Sequence, residues 1–287
     1  MRPSHHQDGF HPAAQHSRRV FERIARCIGR LAKSAKAEDV HRFRTNSRRL
    51  EVLISELSPD TRNRKKLLKL LSKLRKKAGK VRDLDIQIAL LKDLKLPDRH
   101  AHKAQLTEWL AEQQARRARK LAKALDEETA RELRKRVRRV QSELNLDGAD
   151  PLRLAFARLP KLDAAPMSEK TLHSYRIAAK RARYLAELSD SPEAKLFVEE
   201  IRRAQDAIGE WHDVLQLKER AEKLFGGVHQ SPLVAVLQNT GRAKQKRAVT
   251  TLLSALSRVS ELQRTHAAEI PPRKPATTEI PRHSAAA

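Results

Sequence analysis

Two short stretches of the sequence carry a histidine and basic side chains at the same helical spacing. Both place His, Arg and a second basic residue at positions i, i+3 and i+7, and they are His41, Arg44 and Arg48, then His173, Arg176 and Lys180. Residues at this spacing lie on one stripe of a helix. Guanidinium, ammonium and imidazole groups donate hydrogen bonds to anionic oxygens. The repeated stripe predicts two matched faces that recognise one large, negatively charged ligand.

Two further pairs of motifs follow these stretches in the same order. Ser58-Pro59-Asp60 recurs as Ser191-Pro192-Glu193, and Gly79 to Asp83 recurs as Gly209 to Asp213, at a nearly constant offset. The sequence therefore predicts a duplicated unit. Each glycine costs an expected helix about 1 kcal/mol relative to alanine, which indicates close approach of a ligand or backbone, or tight helix packing. Each aspartate is expected to orient a neighbouring arginine or histidine.

The adjacent His212 and Asp213 permit another hypothesis, a metal-dependent phosphohydrolase. Such a centre needs further His and Asp ligands from other helices. The position equivalent to His212 in the first copy is Arg82, which cannot bind a metal. The sequence also shows no Gly-x4-Gly-Lys-Ser/Thr phosphate loop and no Ser or Cys nucleophile in a recognisable setting. We therefore expect neither catalysis nor a cofactor.

The most basic segment runs from Arg62 to Arg82 and holds eleven Lys and Arg residues with no acidic residue among them. Like charges one turn apart destabilise a helix, so an ordinary solvent-facing helix mixes both signs. A charged surface kept for solubility is the alternative interpretation. The members of this segment expected to contact the ligand are Lys69, Lys73, Lys76, Lys80 and Arg82.

The composition favours a polyanionic partner. The 287 residues carry a formal net charge of +26, and the sequence pI is about 10.7. So much like charge is unfavourable in a compact chain unless a partner offsets it. The single cysteine, Cys27, excludes an intramolecular disulfide and favours a reducing compartment. No secretory signal or membrane span is predicted, so we expect a cytoplasmic location and no membrane partner.

The elements that position these residues are predicted to be helices. Apolar residues recur at helical spacing, as at Val20, Ile24, Cys27 and Leu31. The expected order is a polar arm without regular structure, two copies of four helices each and an unstructured proline-rich tail, at residues 1–16, 17–146, 150–268 and 269–287. In the first copy, a first helix and a second that ends near Ser58 are followed by helices expected at 59–94 and 98–144. In the second copy, helices are expected just after Asp150 and at 168–188, 192–224 and 232–268. Several starts coincide with Ser or Asp before Pro, a capping pattern.

These motifs together resemble the CHAD family, the conserved histidine α-helical domain. The similar segments are the two histidine stretches, the second extending through Arg181 and Arg183 to Tyr184, and the two glycine–aspartate stretches. The resemblance covers about residues 17–268, and the four motifs in this order are specific although any one alone is weak. It implies an all-α fold of two tandem four-helix bundles related by pseudo-two-fold symmetry, with a basic central cleft.

The resemblance further implies that the cleft binds inorganic polyphosphate without catalysis and that the protein associates with polyphosphate granules. The residues predicted to bind polyphosphate are His41, Arg44, Arg48, Arg49, Lys69, Lys73, Lys76, Lys80, Arg82, His173, Arg176, Lys180, Arg181, Arg183, Arg202 and His212.

Two other classes of function stay open at this point, a helical nucleic-acid-binding protein and the metal-dependent phosphohydrolase. Aromatic residues make up 3% of the sequence, which disfavours single strands because their bases stack on aromatic rings. Contacts to duplex phosphates need no such rings. Polyphosphate has dense charge and no bases, so it suits this composition. The sequence does not indicate the oligomeric state or the preferred length of polyphosphate.

Overall fold

The computed structural model describes residues 12–34, 36–95, 101–146, 148–160 and 167–269. Every regular element in this part of the chain is a helix, which confirms the predicted all-α class. The helices are α1 Pro12–Lys33, α2 Ala37–Leu57, α3 Arg62–Asp93, α4 Ala101–Ala124, α5 Glu127–Ser142, α6 Pro151–Ala157, α7 Glu169–Ala186, α8 Pro192–Phe225 and α9 Pro232–Glu269.

The first helix begins inside the segment expected to lack regular structure. It starts at Pro12 rather than at residue 17, because Ala13 and Ser17 extend the inward stripe that continues at Val20. Residues 1–11 of the expected arm and 270–287 of the expected tail lie outside the described residues.

Two helix boundaries in the first copy differ from the prediction, and a side-chain cap explains each. The third helix begins at Arg62 rather than at Pro59, because the side chain of Thr61 accepts a hydrogen bond from the backbone of Arg64. The stretch expected as one helix over 98–144 is two helices. Asp126 caps the second of them by accepting from the backbone N–H of Thr129 at 2.8 Å. Within the described residues the first copy therefore has five helices, whereas the second has the expected four.

Neighbouring helices pack in the order of the chain, and the two copies meet through equivalent helices. In the first copy α2 packs against α1 and α3, and in the second α7 packs against α6 and α8. Between the copies, α2 contacts α7 and α3 contacts α8. The two histidine-bearing helices are thus neighbours, and so are the two glycine-bearing helices.

One apolar core holds both copies together, and a smaller cluster lies apart from it. The main core includes Phe43 of α2 and Tyr175 of α7, and both side chains are fully buried. Burying such a ring stabilises the fold by about 1.5–3 kcal/mol. The smaller cluster joins α3 and α4 to α8 and α9 through residues such as Leu84, Leu110 and Leu217. The predicted anchoring of both histidine helices by their aromatic residues is confirmed.

No helix in the described ranges is long and apolar enough to cross a membrane.

Candidate anion-binding cleft

A cleft forms where the two histidine-bearing helices face each other. Its volume is about 340 Å³. The side chains that line it come from α2, α3 and α7, and they are Arg48, Glu51, Val52, Arg75, His173, Arg176, Ile177, Lys180, Arg181 and Tyr184. We refer to this cavity as the central cleft. Five of its ten residues are Lys or Arg, and both copies contribute to them.

The positive charges of the two copies are close enough to perturb one another. Burial, and after it the charges of Arg176, Arg48 and Arg44, lower the pKa of Lys180 to about 6. Burial, Arg48 and Arg44 likewise lower the pKa of Arg75 to about 10. The largest cause in each case is burial, because the charged form loses hydration. The cleft thus concentrates basic groups whose charged forms are disfavoured by burial and by one another.

The two mid-helix glycines lie beneath arginine side chains. A Cβ atom added to Gly79 would stand 3.6 Å from Nε of Arg44, and one added to Gly209 would stand 3.8 Å from Nη2 of Arg176. Both distances are ordinary van der Waals contacts. In each copy the glycine therefore provides a flat place on the helix over which the arginine of the histidine helix lies. What approaches each glycine is a guanidinium group of the same copy.

The aspartates that follow the glycines lie next to basic side chains, an arginine in the first copy and a histidine in the second. Nη2 of Arg44 lies 3.4 Å from Oδ1 of Asp83. In the second copy, Oδ1 of Asp213 lies 3.7 Å from Nδ1 of His212. Burial lowers the pKa of Arg176, and the nearby carboxylate of Asp213 partly opposes that change. Each carboxylate thus acts on a basic group of its own copy.

The predicted histidines lie in equivalent but chemically different surroundings. Burial, then the charges of Arg82 and Arg44, lower the pKa of His41. Burial, then the neighbouring ring of His212, lower the pKa of His173. The rings of His173 and His212 stack with centroids 5.5 Å apart. Arg82 and His212 occupy matched positions in the two copies, so each histidine of the stripes has a basic neighbour from the glycine-bearing helix.

Sequence comparison identifies the family that shares this arrangement. The sequence profile of the CHAD domain matches residues 16–222, a span that contains every predicted site residue. The chain belongs to the CHAD family. No curated protein matches it in sequence.

Two solved structures share the fold of this CHAD domain. PptA from Streptomyces chartreusis is 16% identical, with a TM-score of 0.63 over 86% of this chain and 98% of that chain. The CHAD domain from the plant Ricinus communis is 20% identical, with a TM-score of 0.52 over 89% of each chain. At these identities the likeness concerns the fold.

Within the CHAD domain, the predicted residues His41, Arg44, Arg82 and His212 do not line the central cleft. The other predicted residues outside it fall into two groups. Lys69, Lys73, Lys76 and Lys80 are exposed on the outer face of α3. Lys80 also borders a cavity of about 300 Å³ next to Trp109, Arg117 and Arg220. Asp83 lines that cavity as well, so it connects the cavity with the Arg44 side of the central cleft.

The other group, Arg49, Arg183 and Arg202, lies beyond Tyr184. Nε of Arg49 donates a hydrogen bond of 2.8 Å to Glu187, and Nε of Arg183 lies 3.5 Å from the same carboxylate. Arg202 lines a separate cavity with Arg49. The structure therefore does not bring these three side chains together with the lining of the central cleft.

Sequence reasoning missed two contributors to the central cleft. Arg75 was counted in the basic segment but not among the site residues, although it lies one turn before Gly79 and hence on the same side of α3. Its Nη2 donates a hydrogen bond of 2.8 Å to Oε1 of Glu51 on α2. The helical spacing from Gly79 would have identified Arg75. Nothing in the local sequence distinguishes Glu51, because its partner comes from another helix.

Groups of three or more His, Cys, Asp or Glu side chains that could hold a metal ion do not occur within the described residues. The metal-centre hypothesis named His212 and Asp213, and among the described residues no third His, Cys, Asp or Glu joins these two in such a group.

Proposed function

We propose that the central cleft binds inorganic polyphosphate and that this CHAD protein acts by binding, without catalysis. The observation that carries the proposal is the convergence of partly buried Arg and Lys side chains from both copies on one cavity. Burial, followed by the neighbouring positive charges, lowers the pKa values of Arg48 and Lys180, so the free cleft disfavours their charged forms. A polyanion in the cleft offsets that cost and gains charge-assisted hydrogen bonds.

Unused hydrogen-bond donors support the proposal. In the part of the chain that the structure describes, the buried Nε atoms of Arg82 and Arg176 have no hydrogen-bond partner. An unpaired buried donor costs about 1–3 kcal/mol. Reorientation of Arg176, which lines the cleft, toward a ligand rich in oxygen acceptors would remove this cost. Guanidinium groups suit phosphate oxygens because they present several donors in a fixed geometry.

The aromatic content of the cleft favours polyphosphate over single-stranded nucleic acid. The lining of the central cleft contains one aromatic side chain besides His173, that of Tyr184. Tyr184 is 6% exposed. It therefore offers no open ring on which a base could stack. Inorganic polyphosphate presents only oxygens, which matches a lining of guanidinium, ammonium and imidazole groups.

A competition experiment tests the choice of ligand. A labelled long-chain polyphosphate is displaced by unlabelled polyphosphate, duplex DNA or single-stranded RNA at equal phosphate concentration and fixed salt, because all polyanion binding depends on salt. We expect polyphosphate to compete best. Displacement by duplex DNA at least as effective as displacement by polyphosphate would favour the nucleic-acid function instead.

A phosphate-release assay tests the absence of catalysis. We expect no orthophosphate from polyphosphate or nucleoside triphosphates, with or without Mg²⁺ or Mn²⁺, because we assign the histidines to anion recognition. Turnover by the pure protein that disappears in a His212→Ala variant would contradict the proposal and support a metal-dependent reaction. For cellular location, we propose cytoplasmic polyphosphate granules, which fluorescence microscopy of the tagged protein in polyphosphate-accumulating cells would reveal.

A further inference from the structure

A second basic cavity lies beyond Tyr184, and Tyr184 is the residue whose side chain lines both it and the central cleft. Its volume is about 230 Å³. We call it the arginine pocket, and its lining comprises His16, Arg19, Val20, Arg23, Arg49, Tyr184, Glu187, Leu188 and Arg202. The lining comes from α1, α2, the end of α7 and α8, so four parts of the fold build it.

The arginines of this pocket outnumber its carboxylates. Glu187 already accepts a hydrogen bond from Arg49 and lies within ion-pair distance of Arg183. Among the described residues, Arg19, Arg23 and Arg202 form no ion pair or side-chain hydrogen bond. Three exposed arginine side chains therefore line the pocket without an acidic partner among the described residues.

The remaining lining gives the pocket a defined shape and an imidazole at its edge. Val20 and Leu188 are buried and form an apolar wall. His16 lies 3.6 Å from a carboxylate oxygen of Asp190. A volume of this size equals that of about seven or eight water molecules at roughly 30 Å³ each. It suits a short oligophosphate or the end of a chain rather than a long stretch of polymer.

Two arginines of α1 that line the pocket are placed where their like charges destabilise the helix. Arg19 and Arg23 are one helical turn apart, and like charges at this spacing destabilise a helix by about 0.2–0.5 kcal/mol. On the same helix Arg18 forms an ion pair with Glu22 at 3.2 Å. Arg18 thus has a compensating acid, whereas Arg19 and Arg23, which line the pocket, have none among the described residues.

We propose that the arginine pocket is a second oligophosphate site, separate from the central cleft, so that one protein molecule holds polyphosphate at two places. This inference rests on the proposed function, since the same class of ligand occupies both sites. Two sites on one molecule would allow it to cross-link two polyphosphate chains, or two distant parts of one chain. Binding would then condense the polymer as well as coat it.

Calorimetric titration with tripolyphosphate tests the number of sites. The double variants are Arg23→Glu with Arg202→Glu in the pocket, and Arg48→Glu with Arg176→Glu in the cleft. The matched control is Arg131→Glu with Arg138→Glu, which changes the net charge equally at two exposed positions of α5. We expect two bound molecules per chain for the wild type and the control, and one for each site variant.

The outcomes separate this inference from the proposed function. One bound tripolyphosphate in the wild type, unchanged in the pocket variant and lost in the cleft variant, would overturn the second site and leave the proposed function intact. No binding of any polyphosphate by the wild type would overturn both. If the pocket variant and the control variant lost the same number of bound tripolyphosphate molecules per chain, the loss would be a general effect of charge. That result would also overturn the site.

Light scattering with long-chain polyphosphate tests the cross-linking. We expect the wild type and the control to form large assemblies near charge equivalence. The pocket variant should bind the polymer through the cleft but give scattering at least tenfold lower. Assembly by the pocket variant equal to that of the control would contradict cross-linking through this site. Circular dichroism of each variant establishes that the helical fold is retained.

Discussion

In the first copy, α3 presents Lys69, Lys73 and Lys76 to solvent within a segment that has no acidic residue. In the second copy, the matching helix α8 has several of its outer charges paired, although Arg202 is not among them. Arg203 contacts Glu199 at 2.5 Å. Both copies nevertheless place basic side chains toward the central cleft.

Further pairs join α8 to α9. Arg258 lies 2.8 Å from Glu200, and Lys244 lies 2.8 Å from Glu210. These pairs link α8 to α9, whereas Lys69, Lys73 and Lys76 of α3 form no ion pair among the described residues. The two helices thus differ most on their outer faces. A long polyanion that leaves the cleft is expected to follow α3 rather than α8.

The largest effect is expected where the two copies are alike. Charge reversal by Arg48→Glu with Arg176→Glu should weaken polyphosphate binding about a thousandfold, because each hydrogen bond to a charged group contributes about 1.5–3 kcal/mol. The helical circular dichroism should survive, since Phe43 and Tyr175 anchor these helices from the opposite side. Fluorescence anisotropy with labelled polyphosphate measures the affinity, and the Arg131→Glu, Arg138→Glu variant is the control. Unchanged affinity would mean that the ligand binds elsewhere.

A smaller effect is expected from pH. The lowered pKa values of Lys180, His41 and His173 mean that these groups are largely unprotonated in the free protein near neutral pH. A bound polyanion favours their protonated forms, so binding takes up protons and affinity should rise as the pH falls. For the histidines the window is about pH 8 to 6. For Lys180 the uptake begins above about pH 6 and continues into the alkaline range.

Titrations at several pH values and constant salt separate these groups. His41→Ala with His173→Ala should flatten the dependence between about pH 6 and 8, and Lys180→Arg should flatten the part that persists at higher pH because arginine stays charged. A wild-type affinity that does not vary with pH would show that none of the three groups changes protonation on binding.

The smallest effect is expected on the outer faces, and it tests the difference between the copies directly. The variant that replaces Lys69, Lys73, Lys76 and Lys80 by Gln should bind long polyphosphate about tenfold less tightly and with a shallower salt dependence. Binding of tripolyphosphate should be unchanged. The matched control removes four paired charges of the second copy through Arg203→Gln, Lys244→Gln, Arg247→Gln and Arg258→Gln. Equal losses in both variants would show that net charge alone matters and that the copies do not differ in function.

The sequence predicted those parts of the molecule that depend on spacing within one helix. The stripes of His41 and His173, the inward direction of Phe43 and Tyr175, and the action of Asp83 on a basic neighbour all follow from helical periodicity. The all-α class follows equally from composition and periodicity.

The parts that were not predicted depend on contacts between distant segments. Glu187 binds Arg49 across the boundary between the copies, so two predicted ligand contacts, Arg49 and Arg183, share a protein carboxylate. Arg75 joins the cleft only because α3 packs on α2. The break at Asp126 was missed because both flanking segments favour helix and no Pro or Gly marks the boundary. Local propensity cannot resolve such positions when a single side-chain cap decides them.

The guanidinium groups that lie over Gly79 and Gly209 have a consequence for the speed of ligand exchange. A free arginine side chain loses about 2 kcal/mol of rotamer entropy when it becomes fixed. Contact with the helix surface restricts Arg44 and Arg176 before any ligand arrives. We expect less ordering to be required at the moment of contact with a polyanion, and this saving to lengthen the residence time of the complex. The two glycines would then slow dissociation without touching the ligand.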